Sequence, residues 1–131
     1  MSDTSPEAFG LTQILQVSVP VSDVDRAIAF YRDTLGMRFL FKAPPGLGFF
    51  DCGGIRVMLD APARAQSRNY SSVLYYKVPD IKRARQELGN RGAVFLEEPH
   101  LIAKMPDHDL WLAILSDPDE NLIGLMSEVR D

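Results

Sequence analysis

Between positions 14 and 21 apolar and polar residues alternate, which is the pattern of a half-buried β-strand. One side of this strand is uniformly apolar and consists of Leu15, Val17, Val19 and Val21. The other side is mixed and consists of Ile14, Gln16, Ser18 and Pro20. Because successive side chains of a strand point to opposite faces, the apolar side is expected to pack against helices. Gln16 then has three possible roles: a solvent-facing residue, a metal ligand, or a polar group in a binding cavity.

A different periodicity follows directly and predicts an amphipathic helix. Its apolar stripe, at spacings of three and four residues, consists of Val24, Ala27, Ile28, Tyr31 and Leu35. Ser22 and Asp23 are suitable N-cap residues, and Asp25 adds favourable charge to the first turn. Gly36 can adopt the left-handed conformation that ends a helix.

The chain contains an internal repeat. "VSDVDRAIAFYRDTLGMRF" begins at Val21 and "VPDIKRARQELGNRGAVF" begins at Val78. The matched pairs, which allow one deletion, are Asp23 and Asp80, Arg26 and Arg83, Ala27 and Ala84, Gly36 and Gly92, Phe39 and Phe95. The second helix has a weaker apolar stripe, and Gly89 lowers the helix propensity of its last turn. Each copy therefore predicts a strand, an Asp cap, a helix, a glycine stop and a further strand.

Three strands are predicted after each helix. In the first half they are Arg38–Lys42, Leu47–Cys52 and Ile55–Ala61, and in the second half they are Val94–Glu98, Leu110–Ser116 and Leu122–Ser127. The sequence thus predicts a single α+β domain over residues 1–131, built from two tandem βαβββ modules at about 11–61 and 71–128. Residues 62–70 are the expected connector, and residues 1–10 a flexible N-terminus. Paired modules are expected to form one curved mixed sheet with helices outside and a concave cavity inside.

Strand alternation also assigns residues to the concave side. On the fourth, fifth and eighth strands these are Arg56, Met58, Asp60, Val73, Tyr75, Lys77, Leu122, Gly124 and Met126. With Gln16 and Ser18, most of this side mixes polar and apolar groups, as a ligand-lined cavity does. The alternative is that this side packs against another subunit or a loop.

Composition and charge narrow the classes of function. Apolar residues make up 46% of the 131 residues and the formal net charge is −4, which argues against non-specific nucleic-acid binding. No apolar run is long enough to span a membrane, and the acidic N-terminus does not resemble a signal peptide. The single cysteine, Cys52, fits a reducing compartment, so a cytoplasmic location is expected.

Two histidines, His100 and His108, lie in "EEPHLIAKMPDHDLW" among four carboxylates. Their spacing is not a recognised metal-binding motif, and they are expected to flank a flexible loop. A role at the mouth of the cavity is a better hypothesis than metal binding. His108 is a weak candidate for a general base, because the ordinary pKa of histidine lies near neutrality, and the catalytic residues are otherwise unknown.

The segments "VPVSDVDRAIAFYRDTLGM", "VPDIKRARQELGNRGAVF" and "LSDPDENLIGLM" resemble the vicinal oxygen chelate superfamily, a group of glyoxalase, bleomycin-resistance and dioxygenase proteins. The resemblance runs from about Thr12 to Met126. It implies the glyoxalase-like fold, and often a homodimer, sometimes with a cavity built from both chains. Glu120 departs from the family pattern, which has glycine there, and this suggests a slightly different turn in which Asn121 tolerates the left-handed region.

Enzymes of this family hold a divalent metal with four ligands, and the resemblance places these at Gln16, Met58, Val73 and Gly124. Only Gln16 offers a polar donor, whereas a catalytic metal needs at least three imidazole, carboxylate or thiolate ligands. No metal and no other cofactor is therefore expected.

Three functions are compatible with these features. The first is a metal-free protein that binds a small amphipathic molecule in its cavity, with no nucleic acid or membrane as partner. The residues expected to contact the ligand are Gln16, Ser18, Arg56, Met58, Val73, Tyr75, Trp111, Gly124 and Met126. The second is a glyoxalase-like lyase, an isomerase (epimerase) or a dioxygenase with a degenerate or relocated metal site. The third is a protein with a vestigial cavity that serves in association with other proteins.

Overall fold

The computed structural model of the protein describes residues 9–61 and 72–130. The first module consists of β1 (Gln16–Pro20), α1 (Val24–Ala29), β2 (Arg38–Ala43), β3 (Leu47–Cys52) and β4 (Ile55–Asp60). The second consists of β5 (Leu74–Lys77), α2 (Ile81–Asn90), β6 (Val94–Lys104), β7 (Asp109–Ser116) and β8 (Leu122–Val129). The predicted connector, 62–70, and most of the predicted N-terminal segment, 1–10, lie outside the described residues.

The two modules have the same topology. The strand order is β1-β4-β3-β2 in one sheet and β5-β8-β7-β6 in the other. In each sheet the first pair is parallel and the other two pairs are antiparallel, so both sheets are mixed. This confirms the predicted α+β class and the duplicated βαβββ unit. Among the described residues, however, the strands form two four-stranded sheets instead of one hydrogen-bonded sheet.

One hydrophobic core joins the helix-facing sides of both sheets. Its most buried side chains include Val19, Val57, Leu59, Ile123 and Leu125, as strand alternation predicts. Leu15, which directly precedes β1, does not follow this prediction, since it is 76% exposed. The opposite side of each sheet is consequently left uncovered by either helix.

Equivalent residues begin and end the two helices. The side chains of Asp23 and Asp80 accept hydrogen bonds from the backbone N–H groups of Arg26 and Arg83, at 3.0 and 3.1 Å. Helix α1 continues into a π-helical turn over Phe30–Thr34. Gly36 and Gly92 follow the helices with φ of 74° and 91°, so the predicted glycine stops are confirmed.

The turn between β7 and β8, residues 117–121, fastens the second module to the first. The buried Asp117 carboxylate accepts hydrogen bonds from the Tyr31 hydroxyl at 2.9 Å and from the Asn121 side chain at 2.8 Å. The Asn121 side chain also donates to the carbonyl of Pro20 at 2.8 Å, and the backbone N–H of Ser22 donates to Asp119 at 3.0 Å. These contacts hold the end of β1 and the start of α1 against the second sheet.

Glu120, within this 117–121 turn, has a φ of 67°, the left-handed conformation that glycine adopts most easily. The prediction that glutamate alters the turn is therefore wrong. The turn is held by Asp117, whose side chain accepts the backbone N–H groups of Asp119 and Asn121 at 2.8 and 2.9 Å. Asn121 contributes side-chain hydrogen bonds. The residue in the left-handed conformation is Glu120, and not Asn121 as predicted.

Strand β6 is longer than predicted and extends to Lys104. The segment that contains both histidines is therefore a β-hairpin. The loop that the histidines were expected to flank is reduced to residues 105–108, because His100 lies within β6 and His108 within the turn. Pro99 is tolerated inside the strand because β6 lies at the edge of its sheet. The register shifts three times between β6 and β7, which explains why the periodicity of this strand could not be read from the sequence. None of the helices in the described ranges is long and apolar enough to cross a membrane.

Candidate ligand-binding faces

The helix-free side of the first sheet, which we call the first face, carries two rows of side chains. Residues paired across strands point to the same side, so the pairing register defines the rows. The polar row consists of Gln16, Arg56, Asp51 and Arg38, and the apolar row consists of Ser18, Met58, Phe49 and Phe41. The sheet thus places a row with two guanidinium groups beside a row with two aromatic rings.

Side chains of the first face contact one another across the strands. The rings of Phe41 and Phe49 have centroids 4.8 Å apart and an interplanar angle of 37°. The Arg56 guanidinium lies 5.8 Å from the centroid of the Phe49 ring, and the amide nitrogen of Gln16 lies 3.8 Å from the sulfur of Met58. Phe41 is 49% exposed. The apolar row is therefore an open aromatic surface next to a cation.

The helix-free side of the second sheet, which we call the second face, is more apolar. One row consists of Tyr75, Gly124, Ile114 and Glu97, and the next consists of Lys77, Met126, Leu112 and His100. The ring of Tyr75 lies across Gly124, so that a Cβ atom added to this glycine would overlap the ring. Tyr75 remains 55% exposed. The second face thus also presents an accessible aromatic ring.

The predicted ligand-contacting residues fall into two groups, with two residues outside them. Gln16, Ser18, Arg56 and Met58 lie on the first face, and Tyr75, Gly124 and Met126 lie on the second. Val73 is half-buried and directly precedes β5. Trp111 does not join either face: it pairs with Ser127 and lies on the helix side of β7, with Ala113 and Leu115.

The position of Trp111 follows from strand parity, because Ala113 and Leu115 are both fully buried. The Lys82 ammonium of α2 lies 5.1 Å from the centroid of the indole ring. Together they line an open groove of about 360 Å³ beside the start of α2 and the end of β8. Trp111 therefore belongs to a different surface from the residues with which it was grouped.

Sequence reasoning missed the residues that β2, β3 and β7 contribute to the two faces. The most important are Phe41, Phe49 and Asp51 on the first face and Leu112 and Ile114 on the second. "GFFDC" has two adjacent phenylalanines, so alternation alone does not say which one faces the helices. In the structure Phe50 is fully buried and Phe49 is not. For β7, strand alternation in the sequence was a usable signal, because it places Leu112 and Ile114 on the same side of the strand.

The two histidines do not form one site. His100 lies on the second face, with Nε2 3.8 Å from a Glu97 carboxylate oxygen and Nδ1 2.8 Å from the carbonyl oxygen of Glu98. His108 lies in the hairpin turn, and its Nδ1 is 2.7 Å from an Asp107 carboxylate oxygen. This contact lowers the pKa of Asp107. At about 3.3 Å per residue, His100 is roughly 13 Å along β6 from the turn that carries His108.

The remaining carboxylates of the hairpin have basic partners. Glu98 pairs with Arg85 at 2.6 Å, and Asp109 pairs with Lys104 at 3.4 Å. Within residues 9–61 and 72–130, no group of three or more His, Cys, Asp or Glu side chains is arranged to hold a metal ion.

The chain matches the model of the Glyoxalase/Bleomycin resistance protein/Dioxygenase superfamily over residues 13–125, and it belongs to this superfamily. It is 25% identical to the uncharacterized protein YraH of Bacillus subtilis (strain 168), and the match covers 86% of this chain and 96% of YraH.

Solved structures share the architecture. TnmS3, an antibiotic-binding protein from Streptomyces sp. CB03234, is 26% identical with a TM-score of 0.73, over 92% of this chain and 99% of TnmS3. Lactoylglutathione lyase from Agrobacterium tumefaciens is 20% identical with a TM-score of 0.73, over 90% of this chain and 95% of the lyase. At 20% identity, the likeness to the lyase shows the fold alone.

The four positions that correspond to the metal ligands of the family's enzymes do not fit a metal in this chain. The Gln16 amide contacts the Met58 thioether, and Val73 has no donor atom. At Gly124, the space that a ligand side chain would occupy is filled by the ring of Tyr75. A catalytic divalent ion takes three or more nitrogen, oxygen or thiolate ligands, and this set supplies one neutral amide.

Proposed function

We propose that the protein binds a small amphipathic molecule on its first and second faces, without a metal centre. The observation that carries this proposal is the open aromatic surface of Phe41 and Phe49 beside the polar row of Gln16 and Arg56. An apolar surface with a few polar groups at one side suits a ligand that has both characters. The likeness to TnmS3, which binds an antibiotic, supports a binding role over catalysis.

The alternative of a lyase, isomerase or dioxygenase requires a metal site elsewhere in the chain. The described residues offer no ligand cluster for it. Cys52 is also a poor nucleophile, because burial and the neighbouring Asp51 raise the pKa of its thiol.

A second copy of the chain is the proposed partner. The helix sides of both sheets share one core, while Phe41, Tyr75 and Leu122 on the helix-free sides are 49%, 55% and 43% exposed. We propose a homodimer in which the first face of one chain opposes the second face of its partner and encloses the ligand. Sedimentation velocity at micromolar concentrations tests this, and a strictly monomeric protein would contradict it.

The binding proposal is tested by titration with Nile red, a neutral amphipathic dye whose emission rises and shifts to the blue in apolar surroundings. Wild type is expected to bind the dye with a defined stoichiometry, and Phe41→Ser is expected to weaken binding at least fivefold. Leu101→Ser is the matched control, because Leu101 is 40% exposed but pairs with Trp111 on the helix side of the second sheet.

Equal affinity of wild type and Phe41→Ser for Nile red would overturn the proposed location of the site. Elemental analysis of the purified protein tests the second part of the proposal. A divalent metal that is present at one equivalent and survives dialysis would overturn the statement that the site is metal-free.

A further inference from the structure

We propose that the ligand of the first face is a planar aromatic acid whose carboxylate pairs with Arg56 while its ring packs on Phe49 and Phe41. This inference rests on the proposed binding function and specifies the chemical class of the ligand. It is carried by the arrangement of one guanidinium group and two aromatic rings on adjacent rows of the same sheet face.

Arg56 has no carboxylate partner among the described residues. Most basic side chains of the described chain do have one: Arg26, Arg32, Lys42, Lys77, Arg85, Arg91, Lys104 and Arg130 each lie within 4.0 Å of a carboxylate. The contact recorded for the Arg56 guanidinium is instead the face of the Phe49 ring. Its donor groups are therefore available to an incoming anion.

The charges around Arg56 also favour an anionic ligand. In the polar row, Arg56 and Arg38 are both paired in register with Asp51, which lies between them. The row thus contains two cations and one carboxylate, and its remaining member, Gln16, is neutral. A cationic ligand would be repelled by the net positive charge of the polar row. A carboxylate, in contrast, can form a bidentate pair with the planar guanidinium.

The spacing of the rows sets the size of the ligand. The Arg56 row and the Phe49 row are roughly 7 Å apart along the strands, and the Arg56 guanidinium itself lies 5.8 Å from the centroid of the Phe49 ring. A carboxylate on a bicyclic ring spans a comparable length. The tilted rings of Phe41 and Phe49 offer an apolar surface for such a ring, and flat aromatic groups pack well in offset or edge contacts.

The test compares 2-naphthoate with 2-naphthamide, its neutral counterpart of nearly the same shape, by isothermal titration calorimetry near neutral pH. Wild type is expected to bind the acid at least tenfold more tightly than the amide. Arg56→Gln is expected to reduce acid binding to the level of the amide. Arg83→Gln is the matched control, because it removes the same charge from an exposed residue of α2 that lies on the helix side.

Three further measurements support the interpretation of the titrations. Asp51→Asn is expected to tighten naphthoate binding, because it removes the single carboxylate of the polar row. Raising the salt concentration is expected to weaken binding of the acid and not that of the amide. Equal thermal stability of wild type and Arg56→Gln shows that the variant is folded.

The outcomes separate this inference from the proposed function. Equal affinity of wild type for acid and amide, or equal loss of both affinities in Arg56→Gln, overturns the proposal that the ligand is an aromatic acid. In that case Nile red binding still supports the proposed binding function. Absence of binding for Nile red and for both naphthalene compounds overturns both.

Discussion

The ring of Tyr75 lies across Gly124 on the second face, and the two residues are paired in register between β5 and β8. A side chain at position 124 would overlap this ring, so glycine is what allows the tyrosine to lie flat on the sheet. The family resemblance assigns a metal ligand to position 124. The ring of Tyr75 occupies the space that any side chain at this position would need.

Gly124→Ala is expected to destabilise the protein by about 1 kcal/mol, the lower end of the range for overpacking. The cost is at the lower end because Tyr75 is 55% exposed and can rotate away from the added methyl group. The measurement is urea denaturation followed by circular dichroism. In a Tyr75→Ala background the same substitution is expected to stabilise the protein by about 0.5–1 kcal/mol, since alanine is favoured over glycine in a strand. The same effect in both backgrounds would show that the ring does not lie over Gly124.

Tyr31→Phe removes the hydroxyl that donates to the buried Asp117 carboxylate at 2.9 Å. The expected loss is about 1.5–3 kcal/mol of unfolding free energy, because the bond is to a charged and buried group. Tyr75→Phe is the control, since this exposed tyrosine is expected to change stability by less than about 0.5 kcal/mol. If the two variants are equally stable by urea denaturation, the 117–121 turn does not fasten the modules together.

Glu120→Gly places glycine at a backbone φ of 67° and removes the steric cost of a Cβ atom in the left-handed region. This cost is about 1–2 kcal/mol, and the greater freedom of glycine in the unfolded chain offsets part of it. The variant is expected to be more stable by about 0.5–1 kcal/mol in thermal unfolding. Glu87→Gly, in the middle of α2, is expected to have the opposite sign, with a loss of about 1 kcal/mol. A destabilised Glu120→Gly would mean that the glutamate makes a contact of its own.

Stability is expected to fall between pH 10 and 12. Burial, together with the neighbouring Cys52, raises the pKa of Tyr76 to about 12, and burial and Asp117 also raise the pKa of Tyr31. A tyrosine whose folded-state pKa lies above its unfolded value of about 10 stabilises the fold fully below pH 10. This stabilisation is lost as the pH rises towards the folded pKa, because the unfolded chain releases the proton first.

The urea midpoint measured from pH 9 to pH 11.5 tests this expectation. Wild type is expected to lose stability steadily above pH 10, and Tyr76→Phe is expected to lose less over the same interval. Identical slopes for the two proteins would contradict the assignment to Tyr76.

Patterns that repeat over a short stretch of chain were sufficient to predict the modules. Asp23 and Asp80 were predicted as equivalent helix caps, and Gly36 and Gly92 as equivalent stops, because these roles depend on local backbone geometry alone. The burial of Val57 and Leu59 followed from strand alternation in the same way.

Predictions failed where a residue's surroundings come from distant parts of the chain. The register shifts of β6 and the edge position that tolerates Pro99 are set by β7, so residues 99–104 of β6 were predicted as part of a loop. Trp111 was assigned to the cavity by its chemistry, although its strand parity places it on the helix side.

By itself, the sequence determined two copies of a βαβββ unit, because helix and strand periodicities are local. It also predicted that Gln16, Met58, Val73 and Gly124 supply too few donor atoms for a metal, since residue type decides which atoms can coordinate an ion. The tertiary structure decided how the remaining residues of those faces act together. Only the pairing of β1, β4, β3 and β2 brings Gln16, Arg56 and the two phenylalanine rings onto adjacent rows, because cross-strand neighbours are far apart along the chain and their register is fixed by the folded sheet.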